Sequence, residues 1–220
     1  MCFSPEGDLG GGLVVTAIGV DAYRHLRGRS GHLLFATVPL VLGVHQLDES
    51  LVWWSLQGHL PHLVGRVAMW IYLLIALVVV PILVPLSILR LEPKGRRRWL
   101  ISAFLALGIA VAVVLFVTML RGPVTAHLGK YHVGYSIGLR NGLVVIGVYV
   151  VATCGSLLCS GYRDVVIFGL ANVVAVVILA RLTADGFASL WCFYAAVTSA
   201  AISLHMRFAK TQRARPYSLT

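Results

Sequence analysis

Three ionisable side chains fall within five consecutive positions of a long apolar stretch, PLVLGVHQLDESLVWW, residues 39–54. His45 precedes Asp48 and Glu49 by three and four residues, so a helix places all three on one side, and Trp53 follows one turn later. Ionisable groups at membrane depth cost about 3 kcal/mol each and usually face a bundle interior or a wet cavity. The pattern predicts an intramembrane polar site. Two interpretations stay open: a functional site, or a hydrogen-bond network that joins helices.

Four further histidines lie in the connections between apolar runs, and they are His59, His62, His127 and His132. Imidazole and carboxylate groups suit zinc, iron or copper, and paired histidines can also bind haem. The four histidines match neither an HExxH nor an HxxxH motif. A metal ion or a haem is therefore one hypothesis for these side chains, and solvated positions at a membrane interface are the other.

The last apolar run contains Ser189 and Cys192, which share one side of a helix. Either could act as a nucleophile if a base lay within hydrogen-bond reach, and His45 is the candidate base at that depth. The alternative is a stripe of small residues that packs against another helix. Asn172 and Tyr149 are further polar groups within apolar runs. Asn172 is expected to bridge helices, because a side-chain amide in lipid needs partners.

The elements that must position these residues are helices. Of the 220 residues, 59% are apolar and 12% are charged, and soluble domains carry about 25% charged residues. Uncharged runs such as 67–89, 99–120 and 186–206 reach the roughly 20 residues that a helix needs to cross a bilayer. The net charge of +10 does not indicate nucleic-acid binding, because the basic residues cluster in short loops. The sequence predicts one all-α domain, a polytopic membrane helix bundle with the lipid bilayer as its main partner.

Seven transmembrane helices are expected, over residues 8–25, 32–57, 64–91, 99–120, 141–160, 164–182 and 185–208. The first is short and glycine-rich, and Pro81 and Pro85 should kink the third by removing backbone donors. The connection 121–140 is expected on the outer side, as either a hairpin or an interfacial helix. Of the 18 Lys and Arg residues, 13 lie in the loops after helices one, three and five, in the C-terminal tail or in the helix ends that border them. The positive-inside rule then predicts an N-terminus outside and a C-terminus in the cytoplasm.

Four short motifs carry a resemblance to a known family. They are the start MCFS, HQLDESLVWW in helix two, PILVPLSILRLEP in helix three and SLWCFYAA in the last helix. In this order they resemble an uncharacterised family of bacterial multi-pass membrane proteins that is common in actinomycetes. The resemblance covers essentially the whole chain and implies a small polytopic protein of a bacterial inner membrane. It implies no activity and no site residues.

Three functions remain open at this point. The first is a binding or transport module, with a polar site on helix two for a metal, haem or small polar ligand. The second is an intramembrane enzyme of hydrolase type that uses His45 and Glu49. The third is a structural subunit of a membrane complex, without chemistry of its own. Protein partners, including a second copy of the chain in a homo-oligomer, are left open.

Overall fold

The computed structural model describes residues 4–26, 30–129, 132–139 and 141–182, together with Ala196 and Ala200. Within this part of the chain, six helices and one two-stranded hairpin follow one another. They are α1 (Pro5–Leu26), α2 (Ser30–Leu56), α3 (His62–Leu91), α4 (Arg96–Arg121), β1 (Thr125–Leu128), β2 (Val133–Ser136), α5 (Gly142–Leu158) and α6 (Arg163–Leu182). The fold is all-helical apart from the hairpin. The segment predicted as helix seven, 185–208, lies outside the described residues except for the two alanines.

Helices α1 and α2 form a close antiparallel pair, because glycines face the partner backbone. A Cβ atom at Gly19 would lie 2.6 Å from the Leu40 amide nitrogen, and one at Gly43 would lie 2.6 Å from that of Thr16. Gly12 meets Leu47 in the same way. Glycine permits this approach because it has no side chain. The pair therefore fixes the turn of α2 that contains His45, Asp48 and Glu49 beside the start of α1.

Helix α3 is interrupted by a π-helical turn, Ile75–Val79. The amide of Val80 donates to the Ile75 carbonyl five residues earlier, so it does not donate to the Ala76 carbonyl as it would in an α-helix. The next amide would belong to Pro81, which has none, and the Ala76 carbonyl is left without a helical donor. The Tyr149 hydroxyl on α5 donates to this carbonyl at 2.8 Å. A proline thus reshapes α3, and a neighbouring helix compensates for the lost bond.

The connection after α4 is a β-hairpin, not an interfacial helix. Its strands are antiparallel, with Thr125 opposite Ser136 and Leu128 opposite Val133. Val133 is completely buried against the ends of α2, α3 and α4. In this cluster it joins Val52, Trp53, Ala68, Met69, Tyr72, Leu73 and Met119. The hairpin therefore covers one end of the helix bundle.

A second apolar cluster lies towards the other end of α3, around Ile88, Ile101 and Phe168. Between the ends, Val15, Val38 and Leu42 of α1 and α2 pack against Ala196 and Ala200.

Much of the helical surface is apolar. Two described helices are long and apolar enough to cross a membrane, α3 and α4, and the apolar helix α5 is shorter. Only 33% and 28% of the most apolar windows of α3 and α4 are buried, unlike core helices of a soluble protein. Large exposed apolar side chains continue along α4, α5 and α6: Ile109, Val113, Phe116, Leu143, Val144, Val151, Ile167, Leu170 and Val174.

Candidate functional site

The polar turn of α2 is buried. His45 and Glu49 have no exposed surface, and Asp48 and Trp53 are 8% and 5% exposed. The side chains meet α3 at Tyr72, which is also completely buried. We call His45, Asp48, Glu49, Trp53 and Tyr72 the α2 polar cluster.

An aromatic stack joins the α2 polar cluster to the hairpin. The His45 and Tyr72 rings are parallel, with centroids 4.0 Å apart and planes inclined by 21°. On its other side, Tyr72 stacks on Tyr135 of β2 at 4.4 Å and 16°. Three elements distant in sequence therefore position one row of rings. The Asp48 carboxyl lies near the Tyr72 backbone, beside the same row.

Several polar atoms in this cluster have no hydrogen-bond partner among the described residues. They are both ring nitrogens of His45, the indole nitrogen of Trp53 and Oδ2 of Asp48. Neither neighbouring carboxyl group therefore bonds to the His45 ring. A neutral imidazole carries one donor and one acceptor, and leaving each unsatisfied costs about 1–3 kcal/mol. Their partners must lie outside the described part of the chain, in a bound molecule or in the remaining residues.

A buried carboxyl group of α1, that of Asp8, lies at a similar height along the α1–α2 pair as the α2 polar cluster. Asp8 has no exposed surface, and it precedes by one turn Gly12, which packs on Leu47. Because α1 and α2 are antiparallel, Asp8 lies beside the turn that follows Leu47. Asp8 is not among the site residues predicted from the sequence, although its segment is expected on the same outer side. Its position four residues before a glycine-rich helix face was the available signal.

The four loop histidines do not converge on one point. His59 and His62 lie in and after the turn that precedes α3. His127, on β1, packs over Gly134 of the opposite strand, and His132 lies against Gly129 at the turn of the hairpin. Among the described residues, no group of three His, Cys, Asp or Glu side chains could hold a metal ion.

No described side chain lies within hydrogen-bond reach of the His45 ring as a nucleophile. Ser189 and Cys192, the nucleophiles considered from the sequence, lie outside the described residues. Asn172 is 4% exposed and donates to the Phe168 carbonyl of its own helix at 2.8 Å, so this bond does not bridge helices. Tyr149 does bridge two helices, through its bond to Ala76.

A second polar cluster, which sequence reasoning missed, surrounds Glu92 directly after α3. The Glu92 carboxylate is 4% exposed. It accepts the Gly161 amide at 3.0 and 3.1 Å and the Ser160 hydroxyl at 3.3 Å. Its own carbonyl accepts a bond from Arg98 at 3.1 Å. We call Glu92, Arg98, Ser160 and Gly161 the Glu92 clamp.

The pKa values of two neighbouring side chains reflect the environment of this clamp. Burial and, to a lesser degree, the negative charge of Glu92 raise the pKa of the Tyr162 phenol. Burial also raises the pKa of the Cys159 thiol, and the positive charge of Arg97 opposes that rise. A low-pKa, reactive thiol is therefore not expected here. The clamp joins the end of α3 to the turn between α5 and α6.

The comparison with known proteins identifies a family but no relative of known activity. No curated protein and no solved structure matches the chain. One family model, described as a family of unknown function, DUF6629, matches residues 1–218. The match covers nearly all of the 220 residues, and the chain therefore belongs to this family of unknown function, DUF6629.

Proposed function

We propose that this protein is a multi-pass membrane protein that binds a small polar ligand inside its helix bundle, at the α2 polar cluster. A bacterial inner membrane is the proposed location, in keeping with the family resemblance of the sequence motifs. Apolar side chains exposed along α4, α5 and α6 support contact with lipid, because soluble monomers rarely expose apolar patches of this extent.

The observation that carries the binding proposal is the burial of His45 without a hydrogen-bond partner among the described residues. A purely structural network would satisfy its members, since a buried polar group without a partner destabilises the fold. The His45 ring is held between helices by its stack on Tyr72. A ligand with one donor and one acceptor group would complete the hydrogen bonds of the imidazole.

The test compares ligands that co-purify with the full-length protein. Protein extracted from its own membrane into a mild detergent is analysed by native mass spectrometry, for the wild type and for His45→Phe. We expect a bound small molecule in the wild type and its loss in His45→Phe. Ser102→Ala, which removes an exposed hydroxyl bonded only to the Trp99 carbonyl, is the matched control and should keep the ligand. An identical bound fraction in all three proteins would overturn the proposal.

The proposed topology has seven spans, with the N-terminus outside and the C-terminus in the cytoplasm. It is supported by the distribution of Lys and Arg over alternate connections. Reporter fusions at residues 1 and 220 should report opposite sides of the membrane. If both ends are cytoplasmic, one segment does not span, and helix α1, whose apolar stretch is short and glycine-rich, is the first candidate.

A further inference from the structure

A pocket opens between the hairpin and the ends of two helices, and no residue of the α2 polar cluster lines it. Its volume is about 370 Å³, and its walls come from the last turns of α2, the first turns of α3 and strand β1. Val52, Met69 and Val124 give it an apolar floor. These three side chains also belong to the cluster that covers Tyr72. Ser55, His62, Arg66 and Thr125 supply its polar groups.

The pocket carries positive charge and no acid. Arg66 is exposed at this opening, no lining residue is Asp or Glu, and Arg66 forms no ion pair with a described residue. Helix α3 begins here at His62, after Pro61, without a side-chain cap. The uncapped amides of a first helical turn add partial positive charge at the same end of the helix.

A hydroxyl group without a partner among the described residues also lines the pocket. Ser55 is 8% exposed, and its side chain forms no hydrogen bond with a described residue. Gly65 leaves room for the Ser55 hydroxyl, since a side chain at position 65 would collide with it. Four other serines of the described helices behave differently, since Ser50, Ser87, Ser102 and Ser156 each donate to a carbonyl of their own helix at 2.6–2.7 Å.

We propose that this pocket binds an anionic group that carries a short apolar tail, a carboxylate or a phosphate monoester. The planar guanidinium of Arg66 binds either acid through two parallel hydrogen bonds. The Ser55 and Thr125 hydroxyls donate to the remaining oxygens, and the floor around Met69 takes the apolar part. The pocket lies seven residues beyond His45 along α2, roughly 10 Å. It is a second site, and the proposal for it does not depend on ligand binding at the α2 polar cluster.

The first test measures binding of defined probes to the full-length protein in phosphatidylcholine nanodiscs by isothermal titration calorimetry. The probes are hexanoate, hexyl phosphate and, as the uncharged control, hexanol. We expect the two anions to bind at least tenfold more tightly than hexanol. Equal binding of hexanol and hexyl phosphate, or no binding of either anion, would overturn the proposal.

The second test uses variants that separate charge from structure. Arg66→Gln should weaken hexyl phosphate binding at least tenfold. Arg121→Gln, at the exposed end of α4 and outside the pocket lining, should not change it. Ala126→Trp keeps the charge but fills the pocket, and should also abolish binding. Unchanged affinity in Arg66→Gln would refute the assignment. If Arg66→Gln does not fold, Arg66→Lys keeps the charge without the planar fork and should bind several-fold more weakly than the wild type.

A third measurement distinguishes the two sources of such an anion. Nanodiscs that contain phosphatidylglycerol offer an anionic headgroup at the membrane surface. If this lipid competes with hexyl phosphate, and competition disappears in Arg66→Gln, the natural ligand is a lipid headgroup. If hexyl phosphate binds equally in both lipids and still depends on Arg66, the natural ligand is a soluble amphiphile.

Discussion

The α2 polar cluster and the Glu92 clamp are both buried, and both contact α3, yet they differ in how their polar atoms are satisfied. The Glu92 carboxylate uses both oxygens to accept the Gly161 amide, and it also accepts the Ser160 hydroxyl. In the α2 polar cluster, the nitrogens of His45 and Trp53 have no partner among the described residues. Tyr72 and Glu92 are 20 residues apart, roughly 30 Å along α3.

Buried polar groups can be interpreted by whether their hydrogen bonds are completed within the chain. A carboxylate whose oxygens are bonded within the chain stabilises one arrangement of helices, and its value is structural. A fully buried imidazole held only by ring stacking contributes packing but leaves its hydrogen-bonding capacity for something else. The two clusters therefore predict opposite responses to substitution.

The largest effect is expected for Glu92→Ala. Removing the carboxylate leaves the Gly161 amide and the Ser160 hydroxyl without their acceptor, so the free energy of unfolding should fall by about 3 kcal/mol. The measurement is thermal unfolding of the purified protein in detergent. Glu6→Ala, which removes an exposed carboxylate from α1, is the matched control and should change stability by less than about 0.5 kcal/mol. A melting temperature of Glu92→Ala equal to that of the control would show that the clamp does not stabilise the fold.

An intermediate effect is expected for Tyr149→Phe. This change keeps the ring but removes the hydroxyl that donates to Ala76, so the carbonyl freed by the π-helical turn becomes unsatisfied. We expect a loss of about 1–2 kcal/mol in the free energy of unfolding, measured in the same detergent. Tyr23→Phe, at an exposed position of α1, should have no such effect. Equal stability of the two variants would mean that water or another group satisfies this carbonyl.

The sequence was sufficient to predict an all-helical protein, because apolar runs of this length are compatible with few structures other than helices. It also brought attention to His45, Asp48 and Glu49, since spacing within one helix is local information. Tyr72 and Tyr135 could not be found in that way, because they come from other elements: Tyr72 meets His45 when α3 packs on α2, and Tyr135 stacks on Tyr72 only after the hairpin folds back.

Glu92 was missed for a related reason. In the sequence it begins the charged turn EPKGRRR, residues 92–98, which is typical of a solvated loop. Its partner Ser160 is 68 residues away, at a turn with no charged neighbour before Arg163. The sequence of residues 121–140 could not distinguish a hairpin from an interfacial helix, because the hairpin depends on packing. Val133 becomes buried when the hairpin packs on α2, α3 and α4.

No loss of stability is expected for His45→Phe, in contrast to Glu92→Ala. Phenylalanine keeps an aromatic ring against Tyr72 and removes the two nitrogens that have no partner among the described residues. Because the two nitrogens have no described partner, replacing the imidazole by an apolar ring of similar shape removes the cost of burying them, so the ligand-free protein should be at least as stable as the wild type, with a gain of up to about 3 kcal/mol. His45→Ala, by contrast, removes the ring and should destabilise the protein through the cavity it leaves, although by less than Glu92→Ala. Thermal unfolding of both variants, after removal of any bound ligand, makes the measurement. If His45→Phe destabilises the protein as much as Glu92→Ala, the imidazole is bonded within the chain after all, and the α2 polar cluster is a second clamp.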